Sequence, residues 1–155
     1  MPRITHILRY LVATYPYPED LSWPTVMRLV YLVDWKAARV LGSPLTRTPW
    51  ILECYGPMND AVWRAMRHDR MLAVQPPHPS VLTVPRVTWQ GPTPYHPRLT
   101  PAHRTILDAI IGSTQNLTFV DLLALVYRTT PVATGVRGTI LPLRQIAQRL
   151  ASSVE

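Results

Sequence analysis

Five histidines, one cysteine and nine carboxylates are the side chains of this 155-residue sequence best suited to acid–base, thiol or metal chemistry. Their spacing supports none of it. His6, His68, His78, His96 and His103 share no zinc-ligand spacing, and Cys54 has no Cys-x-x-Cys partner, so no metal site is expected. His78 and His96 fall in proline-rich loops and His103 close to a helix start, where exposed side chains are the default. Cys54 stands between Glu53 and Tyr55 with no general base in view, and a small buried apolar residue is the commoner role of a free cysteine. Glu19-Asp20, Asp34 and Asp60 are the carboxylates open to acid–base work, and nothing in the sequence pairs them. There is no glycine-rich phosphate loop, no Gly-x-Ser-x-Gly elbow and no His-Glu-x-x-His. The expectation is a chain without catalytic residues, metal or cofactor.

Asp34 is the odd residue, because it interrupts the apolar face of the most hydrophobic helix directly after Val33. A carboxylate there must be partnered. Arg28 lies six residues earlier, too far along a helix for an i,i+4 pair, so the partner must come from elsewhere. A structural polar contact, an outward side chain beside Trp35 and Lys36, and a direct contact with another protein are the three readings.

Those residues must be positioned by elements that the hydrophobic pattern marks out. Ile4, Ile7, Leu8, Leu11 and Val12 form one stripe of a short surface helix over residues 3–14. Tyr15-Pro16-Tyr17-Pro18 breaks it. Ser22 reads as an N-cap with Pro24 in the first turn of a long helix to about Leu41, its inner face Val26, Leu29, Val30, Val33, Ala37 and Val40, and Gly42 its left-handed cap. Trp50 to Tyr55 reads as a short strand ended by Gly56-Pro57, after which Asn59 or the preceding Pro57 starts a helix that carries Val62, Trp63 and Met66 inward and Arg64, Arg67 and Arg70 outward. Met71 to Gln75 and Val81 to Trp89 suggest an antiparallel pair across the prolines at 76–79. A proline-rich connector at about 90–98 leads to a helix capped at Leu99-Thr100-Pro101 with Ile106, Leu107, Ile110 and Ile111 inside. Thr118 and Asp121 resemble a capping box opening a helix with Leu122, Leu123, Leu125 and Val126. A loop from Pro131 to Gly138 precedes a last helix, Pro142 to Ser152. The fold class expected is mainly α (α+β): one compact helical domain over 1–155 with a small β-hairpin or short sheet.

Hydrophobic residues make up 47% of the chain, enough for a core, and no apolar run approaches the roughly 20 residues of a membrane span. The first six residues hold no apolar signal core, and a single cysteine suits a reducing compartment, so a soluble cytoplasmic protein with no membrane partner is expected. Sixteen cations against nine anions give a net charge of +7, favourable for a polyanion. The cations are scattered singly, and the densest group, Arg64, Arg67, His68 and Arg70, is broken by Asp69. A solvated basic surface is therefore favoured over a nucleic-acid footprint, with an acidic protein partner as the third reading. A helix with basic residues followed by a hairpin keeps a winged-helix-like nucleic-acid-binding regulator as the alternative.

The ordered set Val26-Met27-Arg28-Leu29-Val30-Tyr31-Leu32-Val33-Asp34, Leu41-Gly42-Ser43-Pro44-Leu45-Thr46 and Tyr55-Gly56-Pro57 with Val62-Trp63 resembles the Panacea-domain (SocA-like) family of antitoxins. The second half is similar too, with Leu99-Thr100 and Leu117-Thr118 opening helices and Tyr127-Arg128 closing one. The likeness runs from about His6 to Leu150. Arg28 stands where that family commonly has lysine, and Glu53-Cys54 precede Tyr-Gly-Pro where an aromatic residue is usual. The resemblance implies a bacterial or phage antitoxin that neutralises its cognate toxin by direct protein binding. It places the contact around Asp34, Tyr55, Arg28, Tyr31 and Trp63, and gives Gly42, Gly56 and Pro57 structural roles. Tyr55, Trp50, Trp63 and Trp89 each carry two readings, core or turn residue on one hand and interface anchor on the other, with the structural reading favoured.

Overall fold

A computed structural model describes residues 2–75 and 84–153. Helix α1 (Ile4–Thr14) and a single 3-10 turn (Pro18–Asp20) lead to the central helix α2 (Trp23–Leu41). Hairpin β1–β2 (Trp50–Glu53 and Gly56–Met58), helix α3 (Asp60–His68), and the antiparallel pair β3–β4 (Leu72–Gln75 and Arg86–Trp89) follow. Helices α4 (Pro101–Thr114), α5 (Phe119–Arg128) and the short α6 (Thr130–Thr134), strand β5 (Ile140–Leu141) and helix α7 (Leu143–Ser152) complete the described chain. The mainly helical α+β class is thus observed. The turn of the β3–β4 pair, with His78 and the strand residues expected from Val81 onward, lies partly outside the described residues. No helix among those described is long and apolar enough to cross a membrane.

The caps explain the helix boundaries. Ser22, Thr100 and Thr118 each sit in extended backbone and accept the amide of the residue three positions on, while Asn59 accepts those of Ala61 and Val62. Pro24 and Pro101 fall in first turns, where a missing amide leaves nothing unpaired. Gly42 closes α2 at φ +91°, a region open to glycine.

Helix α2 is the axis of the fold, touching α1, α4, α5, α7, β2 and β4. Thirteen of its nineteen residues are buried, so it has no solvent side through its middle. Only its end leaves the bundle: Val40, expected on the inner stripe, is 61% exposed and Leu41 is 44% exposed. Helix α1 is more enclosed than a surface helix. Ile7, Leu8 and Leu11 are fully buried, and Arg9 forms a two-pronged pair with the buried Asp69 at 2.6–3.2 Å, which joins α1 to the end of α3.

The expected end of the strand at Gly56-Pro57 is corrected. These residues begin β2, which pairs Ile51 with Met58, Leu52 with Pro57 and Glu53 with Gly56. Pro57 therefore does not prepare α3; it sits in an edge strand, where its missing donor is tolerated, and Asn59 caps the helix. The other edge is β5, paired with β1 through Trp50–Leu141 and Ile51–Ile140. Residues expected as a loop at 131–138 contain α6 instead.

Candidate functional site

Two constellations of residues stand out, and they have opposite characters. The first is closed. Asp34 has no solvent exposure, and its carboxylate collects four donors: the Leu45 and Thr46 amides on Oδ1 at 2.9 and 3.0 Å, and on Oδ2 the Trp50 indole at 2.8 Å and the Thr46 hydroxyl. Burial pushes its pKa up from the ordinary carboxylate value, and the Thr46 hydroxyl, the Trp50 indole and the two amides pull it back. Asp34 thus pins the loop after α2 and the start of β1 onto the helix. The expected contact of Asp34 with a partner is corrected: a fully enclosed carboxylate whose two oxygens are taken by the chain's own donors has no path to another protein. Tyr31 receives the same correction. Its ring lies edge-on to Trp50, with centroids 5.5 Å apart, and its hydroxyl shares a hydrogen bond with Thr129 at 2.8 Å, so it is a core residue. Burial also drives the Tyr31 hydroxyl well above its ordinary pKa.

The second constellation is open. Trp23 and Met27, and Pro24 and Arg28, are each four residues apart on α2 and so share the face that meets hairpin β1–β2. The hairpin turns at Cys54-Tyr55, and Gly56 follows at φ +111°, a conformation that L side chains rarely adopt. That geometry throws the Tyr55 ring out to 85% exposure. Phe119, the first residue of α5, closes the third side and is half exposed. Together with Glu53, Pro57 and Met58 these residues enclose a cleft of about 300 Å³. Cys54 beside it is exposed, which corrects the expected buried thiol, and Arg137 donates to its sulfur. Tyr127 reaches the same turn, its hydroxyl 3.5 Å from the Cys54 carbonyl.

Arg28 forms the polar part of this cleft. Its residue exposure is only 6%; one guanidinium nitrogen donates to the Tyr55 carbonyl at 3.2 Å, and the group lies 4.9 Å from the Phe119 ring centroid. The other terminal nitrogen, Nη1, is buried and has no hydrogen-bond partner. Among the described residues it is the single buried side-chain nitrogen or oxygen in that condition, and no carboxylate lies within salt-bridge distance of it. Burial lowers its pKa from the ordinary arginine value, with Tyr127 opposing, yet arginine stays cationic throughout the accessible range.

Of the residues singled out in the sequence, Arg28 and Tyr55 meet at this cleft and Gly56 and Pro57 shape its wall. Trp63 stands next to it, half-buried against Trp23 at 4.9 Å and under Arg67 at 5.6 Å. Trp50 is core, and Trp89 is half-buried against Tyr95. Sequence reasoning missed Phe119, Met27 and Trp23 as site residues, since no spacing links residue 119 to residue 28. No family model, no curated protein and no solved structure matches this chain. Among the described residues no three histidine, cysteine or carboxylate side chains converge as a metal-ligand set. The arrangement offers an exposed aromatic ring, an apolar cleft and a desolvated cation, the equipment of a binding surface.

Proposed function

We propose that this chain is a protein-binding module, an antitoxin of the Panacea-domain kind that neutralises a co-encoded toxin by occupying its surface. The observation that carries the reading is Tyr55, a large aromatic side chain 85% exposed at a hairpin tip that Gly56 holds in place, beside the half-exposed Phe119 and the Arg28 cleft. Tyrosine and arginine are the residues that dominate binding energy at interface centres, and rigid presentation lowers the entropy lost on association. The ordered motifs from Val26 to Asp34 and at Tyr55-Gly56-Pro57 support the toxin as the partner. An interface of roughly 1,600 Å² centred on this tip suffices, with no chemistry.

Co-expression with the product of the adjacent gene tests the reading. The wild-type chain restores growth, and Tyr55→Ala and Phe119→Ala, both at exposed positions and checked for folding by circular dichroism, lose rescue. A wild-type chain that does not restore growth overturns the antitoxin reading.

A second reading has one observation in its favour. Exposed Arg64 and Arg67 lie on α3, which runs into the β3–β4 pair, the order of a winged helix. Binding to a 20-base-pair duplex that weakens steeply with salt and is lost in Arg64→Ala/Arg67→Ala would establish it.

A further inference from the structure

The buried, unpaired nitrogen of Arg28 has a consequence for what the cleft accepts. A guanidinium presents five donors and never sheds its charge, so a partly desolvated one is stable only when an acceptor completes it. Here the Tyr55 carbonyl satisfies one donor and the Phe119 ring covers the group, while Nη1 has no partner among the described residues. Among the described residues the one acidic side chain lining the cleft, Glu53, is exposed and makes no pair with Arg28. Around the guanidinium the walls are apolar: Trp23, Met27, Pro57 and Met58.

We propose that the cleft receives an acidic side chain flanked by apolar residues from the partner protein, its carboxylate pairing with the Arg28 guanidinium while its neighbours lie against Met27, Met58 and the Phe119 ring. This rests on the binding-module reading and adds the chemistry of the partner. Charge and shape agree on it. The chain carries a net +7, the cleft's own carboxylate is exposed, and a volume of about 300 Å³ holds one or two side chains. A phosphate or a nucleic-acid backbone would find no second cation in the cleft, since beside Arg28 the described lining residues include no lysine, arginine or histidine, and Glu53 would repel it.

The test uses the intact chain and the capped peptide acetyl-Ala-Phe-Asp-Leu-Ala-amide, with its Asp→Asn counterpart and sodium acetate as comparisons. Binding is followed by nuclear magnetic resonance of arginine side-chain N–H signals, assigned with Arg28→Lys. The Asp peptide shifts the Arg28 signals and binds at least tenfold more tightly than the Asn peptide; Arg28→Lys retains part of the preference and Arg28→Met abolishes it. Acetate alone binds at least tenfold more weakly than the Asp peptide. Equal binding of the Asp and Asn peptides, or binding of neither, overturns the proposal, as does a preference that survives Arg28→Met. The two readings separate cleanly: growth rescue without peptide discrimination removes the acidic-segment proposal alone, and discrimination without rescue removes the antitoxin reading alone.

Discussion

Replacing Asp34 by asparagine, alone and together with Trp50→Phe, isolates the junction on which the fold turns. In Asp34→Asn the carbonyl oxygen keeps the Leu45 and Thr46 amides, and the Thr46 hydroxyl can rotate to accept. The new amide nitrogen, however, faces the Trp50 indole N–H across 2.8 Å, donor against donor. Losing a charge-assisted bond and stranding a buried donor costs about 2–4 kcal/mol, a range that already includes the relief of no longer burying a charge. Trp50→Phe in the wild-type background removes one bond to a carboxylate, about 1.5–3 kcal/mol, plus the volume of a side chain that is almost fully buried. In the double variant the opposed donors no longer meet. Its destabilisation should therefore fall short of the sum of the singles by about 2 kcal/mol, and the cycle cancels the lost volume. Equilibrium urea unfolding followed by far-ultraviolet circular dichroism measures this against a total of roughly 5–15 kcal/mol. Additivity within about 0.5 kcal/mol, or an Asp34→Asn protein as stable as wild type, would refute the reasoning that Asp34 organises the junction.

Gly56→Ala should destabilise the chain by about 1–2 kcal/mol in the same assay, from backbone strain alone, since an added methyl group would meet nothing within 4 Å at φ +111°. Because the strain falls next to Tyr55, toxin rescue should weaken even in the folded variant. Stability should also rise with pH through the histidine range. Burial, then Arg9, Arg98 and Arg3, holds His6 below its ordinary pKa of 6.5, and burial does the same to His103. Near that value the unfolded chain binds more protons than the folded one, so stability is lost as pH falls from about 7 through 6.5 toward the lowered folded values. The wild-type Tm difference between pH 5 and pH 7.5 should shrink in His6→Gln/His103→Gln. Asp34, whose raised pKa acts in the opposite sense, contributes equally to both proteins and cancels. An unchanged difference would show that neither histidine is linked to folding.

Local rules legible in the sequence account for most of the helical frame. Ser22, Thr100 and Thr118 cap helices because their side-chain oxygens reach backbone amides three residues away, a relation complete within one turn. Gly42 and the stripes of α4 and α7 are likewise short-range, and so is the argument that a carboxylate after Val33 must find partners. What those partners are depends on the chain returning: Leu45, Thr46 and Trp50 reach Asp34 only once the loop has folded back along α2. The β1–β2 hairpin was hidden for a different reason: its pairs are close in sequence, but Gly56-Pro57 reads locally as a break and only pairing with β1 makes it a strand.

Tyr31 and Tyr55 show why residue type did not settle the candidate site. Both are tyrosines in ordered motifs, yet the middle of α2 is enclosed while the hairpin tip projects from the body, so one ring is core and the other surface. The cleft itself combines α2, the hairpin and the first residue of α5. Whether a guanidinium on a buried helix is satisfied or left with an empty donor is a property of everything that closes around it, and burial, which makes the empty donor matter, exists only after the chain has packed.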